Sequence, residues 1–166
     1  MKPARTLSRA RAWLPALLAA ALLAGAAAET AAAPALSKGQ TVYVPFYTHV
    51  FIGPKHRPFH LVTTLSIRNI DPKRAIVLHA VDLYDAHGKR TRRLLEAPRR
   101  LVALDSAHYI VDEDQPPRDP GANFIVTWKA EAPANPPIIE SVMIGAQGQQ
   151  GVSFVSRGEV VEEIAD

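Results

Sequence analysis

The amino-acid sequence predicts an all-β protein: an antiparallel β-sandwich, immunoglobulin-like in general architecture, that follows a cleaved signal peptide. Short segments of alternating apolar and polar residues recur along the chain, each bounded by turn residues. After the N-terminal segment, no amphipathic helical pattern interrupts them. A small β-barrel is the alternative that the same pattern leaves open.

The clearest strand pattern lies between residues 121 and 158. Phe124, Val126 and Trp128 alternate with less apolar residues, as in a half-buried strand. The prolines at 136–137 and the glycines at 145, 148 and 151 separate three apolar runs. Short connections favour antiparallel neighbours, so we expect a three-stranded meander that supplies much of the core.

The first 28 residues have the organisation of a Sec-type signal peptide. A basic head precedes an apolar run at 13–28, and small residues fit cleavage after residue 28 or as late as 35. The run is shorter than the ~20 residues that a membrane-spanning helix needs, which favours cleavage over anchoring. We therefore expect a periplasmic or secreted protein with no transmembrane segment in the mature chain.

Removal of this segment changes the charge of the protein. Cleavage after residue 28 leaves fifteen basic against sixteen acidic residues, a formal charge of −1. A general attraction to nucleic acid is therefore not expected. The chain has no cysteine, which excludes disulfides, thiol catalysis and thiolate metal sites.

We expect residues 29–39 to form a flexible leader, 40–160 a single β-sandwich domain, and 161–166 an acidic tail. Strands are predicted first at 41–50, where Pro45 indicates a sheet edge or a bulge, and then at 59–70. The segment 75–84 is apolar on both predicted faces and should be central, with His79 in the core or an interface. A hairpin turn at 85–88, a basic strand at 89–95 and short strands at 100–104 and 107–111 complete the prediction.

Several segments resemble an uncharacterised family of secreted bacterial proteins, known as a domain of unknown function. They are VYVPFYTHVF at 42–51, TLSIRNIDP at 64–72, VDLYDAHGK at 81–89 and GANFIVTWKA at 121–130, followed by PPIIESVMIG and GVSFVSRG. The resemblance covers roughly residues 40–160. It implies an exported single-domain protein, and it implies no activity, substrate or catalytic residue.

Three histidines are weak candidates for metal ligands, because His49, His56 and His60 flank one loop. Pro58 prevents a helix that would align the last two, so surface histidines are the better interpretation. The acidic residues at 112–114 could supply oxygen ligands to calcium, but they lack the spacing of a calcium-binding loop. We expect no metal and no cofactor.

No catalytic motif is recognisable in the sequence. There is no G-x-S-x-G nucleophile motif, and the glycines at 145, 148 and 151 precede a strand rather than the helix of a phosphate-binding loop. We therefore expect a protein without catalytic residues.

The basic strand is the strongest candidate interaction site, with Lys89, Arg90, Arg92 and Arg93 followed by two more arginines at 99–100. Strand alternation places Arg90 and Arg92 on one face, and Lys89 and Arg93 on the other. Such a strand can dock an anionic partner. It can also simply protect a sheet edge from aggregation.

Glu140 is predicted to lie on an apolar face, because it alternates with Ile138, Val142 and Ile144. A buried carboxylate needs a partner, and Arg157 on the next predicted strand, or Arg68, could supply a structural ion pair. A carboxylate that binds a ligand is the alternative.

Together these features predict an exported, non-catalytic binding or interaction module of the cell envelope. Its partner would be an envelope protein or an anionic polymer, docked on the basic strand or added as a strand beside Tyr43 and Tyr47. A periplasmic protein that binds a metal or a small ligand is the alternative, and an uncharacterised hydrolase is less favoured.

Overall fold

Twelve strands and no helix make up the part of the chain that the computed structural model describes, which is residues 35–112, 117 and 120–164. The predicted signal peptide, most of the predicted leader and the acidic residues at 113–114 lie outside the described residues. The strands pair antiparallel throughout. Among the described residues, no helix is long and apolar enough to cross a membrane.

The strands follow one another along the chain with short connections. They are β1 (Ser37–Pro45), β2 (His49–Ile52), β3 (Arg57–His60), β4 (Val62–Arg68), β5 (Ile76–Tyr84), β6 (Arg90–Arg93), β7 (Arg99–Leu101), β8 (Ser106–Val111), β9 (Asn123–Ala134), β10 (Ile138–Gln147), β11 (Gln150–Arg157) and β12 (Glu159–Glu163).

Two larger sheets and one hairpin arise from these strands. The six-stranded sheet has the order β12-β1-β9-β5-β6, and β7 pairs with β5 as well. The four-stranded sheet has the order β11-β10-β4-β8, and β2 pairs with β3 alone. The hairpin approaches β10 closely at Gly145, where an added Cβ would lie 2.7 Å from the ring of Phe59.

A single apolar core draws on both larger sheets. Phe124, Val126 and Trp128 of β9 are fully buried, as their alternation predicted. They cluster with residues of the four-stranded sheet such as Leu65 and Met143. The antiparallel all-β prediction is confirmed, and the arrangement is consistent with a β-sandwich.

The predicted three-stranded meander is wrong. β10 and β11 do pair, but β9 lies in the six-stranded sheet between β1 and β5. Residues 135–137 carry the chain from one sheet to the other. Two prolines at this crossing remove backbone donors that a ladder would need. Alternation identifies the buried face of a strand, whereas its neighbours depend on distant segments.

The predicted edge strand at 41–50 is also corrected. β1 begins at Ser37, within the predicted leader, and pairs with β9 on one side and with β12 on the other. Part of the predicted acidic tail is therefore the end of a strand. The Glu163 carboxylate accepts hydrogen bonds from Ser37 Oγ, at 2.7 Å, and from Gln40 Nε2. With β12 in place, the edge beside Tyr43 is closed to strand addition.

β5 lies inside its sheet, as predicted, but its residues are divided between the two faces differently from the prediction. The register shifts between Leu78 and Ala80, so that His79 is an extra residue and is exposed rather than buried. After this bulge, Val81 and Leu83 return to the side of Leu78, and all three are fully buried. The predicted long strand at 59–70 is likewise interrupted, between β3 and β4.

Candidate functional site

Five arginines line one edge of the six-stranded sheet. β6 and β7 both pair with β5 on the side away from β9, β6 along its C-terminal half and β7 along its N-terminal half. Together they form what we call the basic edge, which comprises Arg90, Arg92, Arg93, Arg99 and Arg100.

A bulge in β6 sets the direction of its arginines. Arg93 pairs with Asp82 and Arg92 with Leu83, whereas Arg90 pairs with Tyr84, so Thr91 is an extra residue. The Thr91 hydroxyl donates a hydrogen bond to the carbonyl of Leu83 at 3.1 Å, which stabilises the bulge. The predicted division of the arginines between the two faces is wrong, because one extra residue reverses the alternation.

Arg90 and Arg93 therefore converge on Asp82. Arg93 Nε donates to Asp82 Oδ1 at 3.1 Å, and Arg90 Nη1 donates to Asp82 Oδ2 at 3.4 Å. The aspartate side chain is 8% exposed, whereas the two arginine side chains are 52% and 53% exposed. The hydrogen bond that Arg93 donates to the Asp82 carboxylate raises the pKa of Arg93. One carboxylate thus orients two guanidinium groups and neutralises only one of them.

Asp82 was not among the predicted site residues, although the sequence contains a signal for it. It is a lone acid within an apolar strand that precedes a strongly basic strand. A buried carboxylate needs a cationic partner, and a hairpin brings the next strand beside it.

The hairpin turn between β5 and β6 is confirmed and places Lys89. Asp85 Oδ1 accepts hydrogen bonds from the backbone amides of Lys89, at 2.9 Å, and of His87, at 3.0 Å. Both hydrogen bonds lower the pKa of Asp85, and the bond from the Lys89 amide has the larger effect. Gly88 has a φ of 77°, which a residue without Cβ adopts at low cost. Lys89 is exposed at the start of the basic edge.

The outer face of the six-stranded sheet joins two sets of predicted interaction residues. Tyr43 pairs with Ile125, Ile125 with Asp82, and Asp82 with Arg93, so these residues form one row across four strands. Three strand spacings separate Tyr43 from Arg93, roughly 14 Å. Tyr47 lies elsewhere, with its ring 5.8 Å from that of Phe154 in the four-stranded sheet.

Arg92 and Arg99 belong to the opposite side of the basic edge. They pair with Leu83 and Leu78, whose side chains face the core. Arg99 lies close enough to Tyr109 for its charge to oppose the rise in tyrosine pKa that burial causes. Arg90, Arg93 and Arg100 therefore remain as the arginines of the outer face.

The structure brings two of the three candidate histidines together. His49 and His60 pair directly across β2 and β3, with ring centroids 6.0 Å apart. His56 lies in the turn between these strands, with a φ of 47°. Within the described ranges, no group of three or more histidine, cysteine or acidic side chains is placed to hold a metal ion.

The predicted ion pair of Glu140 with Arg157 does not form. The two residues pair directly across β10 and β11, but no salt bridge joins their side chains. Ile139, Ser141 and Met143 face the core, so Glu140 lies half-buried on the outer face. Its predicted companions Ile138, Val142 and Ile144 do share that face, which is the solvent side of the sheet. Alternation correctly grouped these residues on one face of the strand, but that face points to solvent and not to the core.

Comparisons with known proteins place the chain in a family. The crystal structure of Thermotoga maritima 1070 is similar over 75% of this chain and 97% of that chain, at 8% identity and a TM-score of 0.41, a likeness too low to support an argument. No curated protein matches. A family model described as a protein of unknown function, DUF3124, matches residues 39–161, as the resemblance predicted. The chain therefore belongs to the DUF3124 family of proteins of unknown function.

Proposed function

We propose that this protein is an exported, non-catalytic interaction module that docks an anionic partner of the cell envelope on its basic edge. The observation that carries the proposal is the convergence of Arg90 and Arg93 on Asp82. Two half-exposed guanidinium groups share one buried carboxylate, so positive charge remains available to a partner.

Asp82 prepares these arginines for binding. A free arginine loses side-chain entropy when it binds, roughly 0.5–1.5 kcal/mol for each immobilised side chain. Here the bonds to Asp82 already restrict both side chains, and each guanidinium has donors left over, because it carries five N–H groups. Arginine presents these donors as a planar fork that matches carboxylate and phosphate oxygens.

The neighbouring outer face suits a protein or polymer surface. Tyr84, half-buried, pairs with Arg90, and Ile125 and Tyr43 continue the row from Asp82. Aromatic residues and arginine are enriched where interfaces carry most of their binding energy. A partner that contacts the arginines would cover this face as well.

Export and the detailed architecture belong to the same proposal. The basic head and apolar run of residues 1–28 support a cleaved signal peptide and a periplasmic or secreted location. Two antiparallel sheets around a shared core support an immunoglobulin-like sandwich. N-terminal sequencing of the protein from the periplasmic fraction should show a start near residue 29, or as late as residue 36. Uncleaved protein in the cytoplasm would contradict export.

The docking proposal is tested by cross-linking in living cells, followed by recovery of the protein and mass spectrometry of what it carries. The test variant is Arg90→Gln with Arg93→Gln. The matched control is Arg68→Gln with Arg157→Gln, which removes the same charge from the exposed outer face of the four-stranded sheet.

We expect the test variant to lose at least ~90% of the cross-linked partner, since each charge-assisted hydrogen bond contributes about 1.5–3 kcal/mol. The control should retain the partner. Equal losses in both variants, or recovery of the wild-type protein without any partner, would overturn the proposal.

A further inference from the structure

A small pocket opens on the outer face of the six-stranded sheet, at the β7 end of the basic edge. Its volume is about 260 Å³, and its lining includes Lys73, Arg74, Val77, Arg100 and Glu131. Three of these residues are cations from two separate segments of the chain. The sequence analysis did not connect them, because only the folded sheet brings them together.

Asp71 fixes the turn that carries two of the cations. Its Oδ1 accepts hydrogen bonds from the backbone amides of Lys73, at 2.9 Å, and Arg74, at 2.8 Å. Its Oδ2 accepts from the backbone amide of Asn135 at 3.0 Å and from the Asn135 side chain at 3.1 Å. These hydrogen bonds lower the pKa of Asp71 from 3.8 to about 2, and the bond from the Asn135 backbone amide has the largest effect. The turn is therefore held against β9 at a fixed position.

Arg100 reaches the pocket from the sheet. It pairs with Val77 of β5, and Val77 also pairs with Lys129 of β9. Val77 lies on the outer face, since the residues on either side of it, Ile76 and Leu78, are fully buried. A β-ladder positions Arg100 more rigidly than a loop would.

The charges around this pocket are not balanced. The lining carries three cations and one carboxylate, Glu131, and Asp71 offsets part of the charge of Arg74, so a positive surplus remains. Arg74 forms an ion pair with Asp71, with Nη1 3.8 Å from Oδ2. Within the described ranges, no carboxylate forms an ion pair with Lys73 or Arg100. Like charges held close together repel, so the arrangement gains stability when an anion enters.

We propose that this pocket binds a phosphate group. Phosphate carries about two negative charges near neutral pH and has three acceptor oxygens for the three cationic side chains, whereas a carboxylate carries one charge and two oxygens. Guanidinium and ammonium groups are the side chains that bind phosphate oxygens in proteins. The pocket is smaller than the roughly 300–1,000 Å³ of sites for whole small molecules, which favours a single phosphate group.

The inference rests on the proposed function and makes it more specific, because the pocket continues the edge that docks the partner. Roughly 15 Å of β5 separates the pocket from Arg93. An envelope molecule that ends in a phosphate could fill the pocket and extend along β6. A free phosphate ion would use the pocket alone.

Thermal unfolding of the mature protein provides the test, with sodium phosphate compared with sodium chloride at equal ionic strength and pH. At a concentration one hundred times the Kd, phosphate should raise the melting temperature by about 10 °C. Amide resonances of Lys73, Arg74 and Arg100 should shift with the same saturation curve. Equal melting temperatures in the two salts would overturn the inference.

Single substitutions assign the effect to the pocket. Arg100→Gln and Lys73→Gln should each weaken phosphate binding about tenfold or more, because each removes a charge-assisted contact. Glu131→Gln should tighten it, since the surplus charge rises. Arg157→Gln on the other sheet is the control and should leave the Kd unchanged. A loss in Arg157→Gln equal to that in Arg100→Gln would show non-specific attraction and overturn the inference.

A polyphosphate chain, which has terminal phosphates on an extended anion, separates the two sources of phosphate. If it binds more tightly than inorganic phosphate and Arg90→Gln with Arg93→Gln removes the gain, the natural ligand is an extended envelope molecule. If the gain is absent, the pocket takes free phosphate. Loss of the cross-linked partner with no phosphate binding would refute the pocket alone, whereas phosphate binding without any partner would refute the docking proposal alone.

Discussion

The two edges of the six-stranded sheet carry opposite charges and use them differently. At the β12 edge, Glu163 accepts hydrogen bonds from Ser37 and Gln40, and Glu162 accepts one from Thr41 at 3.3 Å. These acids hold β12 against β1. At the basic edge, two of the five arginines, Arg90 and Arg93, share one carboxylate, that of Asp82. Charged edges of either sign discourage aggregation, and the basic edge in addition holds two half-exposed guanidinium groups in fixed positions.

Deletion of residues 159–166 tests the structural role of the acidic edge and should have the largest effect. Without β12, the outer backbone groups of β1 lose their partners, which should cost at least about 3 kcal/mol of unfolding free energy. The exposed edge should also promote self-association. Urea denaturation and size-exclusion chromatography measure the two effects.

Glu163→Gln is the milder control for this deletion, since it preserves the strand and weakens only its side-chain contacts. Its loss should be much smaller than that of the deletion. If the truncated protein is as stable as the full chain, β12 contributes nothing to β1, and the contrast between the edges fails.

Asp71→Asn tests how the far end of the basic edge is held, and its effect depends on pH. The pKa of Asp71 is lowered from 3.8 to about 2 in the folded protein. The carboxylate therefore stabilises the fold above pH 3.8, and this contribution disappears as the pH falls through about 2. At pH 7 the variant should melt about 5 °C lower, because an amide has one acceptor oxygen instead of two, and its NH2 group cannot accept the remaining bonds.

Melting curves between pH 2 and pH 7 check this prediction. The difference between wild type and Asp71→Asn should narrow as the pH falls and be smallest near pH 2. A difference that stays constant over this range would mean that the ionised carboxylate of Asp71 has no special role in the turn.

Asp82→Ala should have a smaller effect on stability and a clear effect on docking. Arg90 and Arg93 are half-exposed and can turn to water, so we expect a loss of about 4 °C in melting temperature. The net positive charge of the edge rises, yet the amount of cross-linked partner, which we call capture, should fall, because the arginines lose the group that orients them. Stronger capture would instead show that charge alone determines docking.

Thr91→Val is the subtlest test of the basic edge, since it changes no charge. It removes the hydroxyl that donates to the Leu83 carbonyl and holds the bulge. We expect a loss of about 2 °C and a partial loss of capture, measured in the same cross-linking assay. Full capture with a lowered melting temperature would indicate that the direction of Arg93 does not depend on the bulge.

The amino-acid sequence by itself determined the features that depend on neighbouring residues. Alternation identified the buried side chains of β9, and turn residues identified the hairpin at 85–88. Both predictions succeeded because the period of a strand and the geometry of a turn arise within a few residues. The basic strand was recognisable for the same reason, since its residues are contiguous.

Only the tertiary structure decided which strands pair and which way their outer residues point. One extra residue, at Thr91 or His79, reverses every later side chain in its strand, and a composition pattern does not contain that extra residue. The face of Glu140 and the coverage of β1 by β12 depend on contacts between distant segments. The phosphate pocket also depends on distant segments. Strands β5 and β7 and the turn that follows β4 meet there only in the folded sheet.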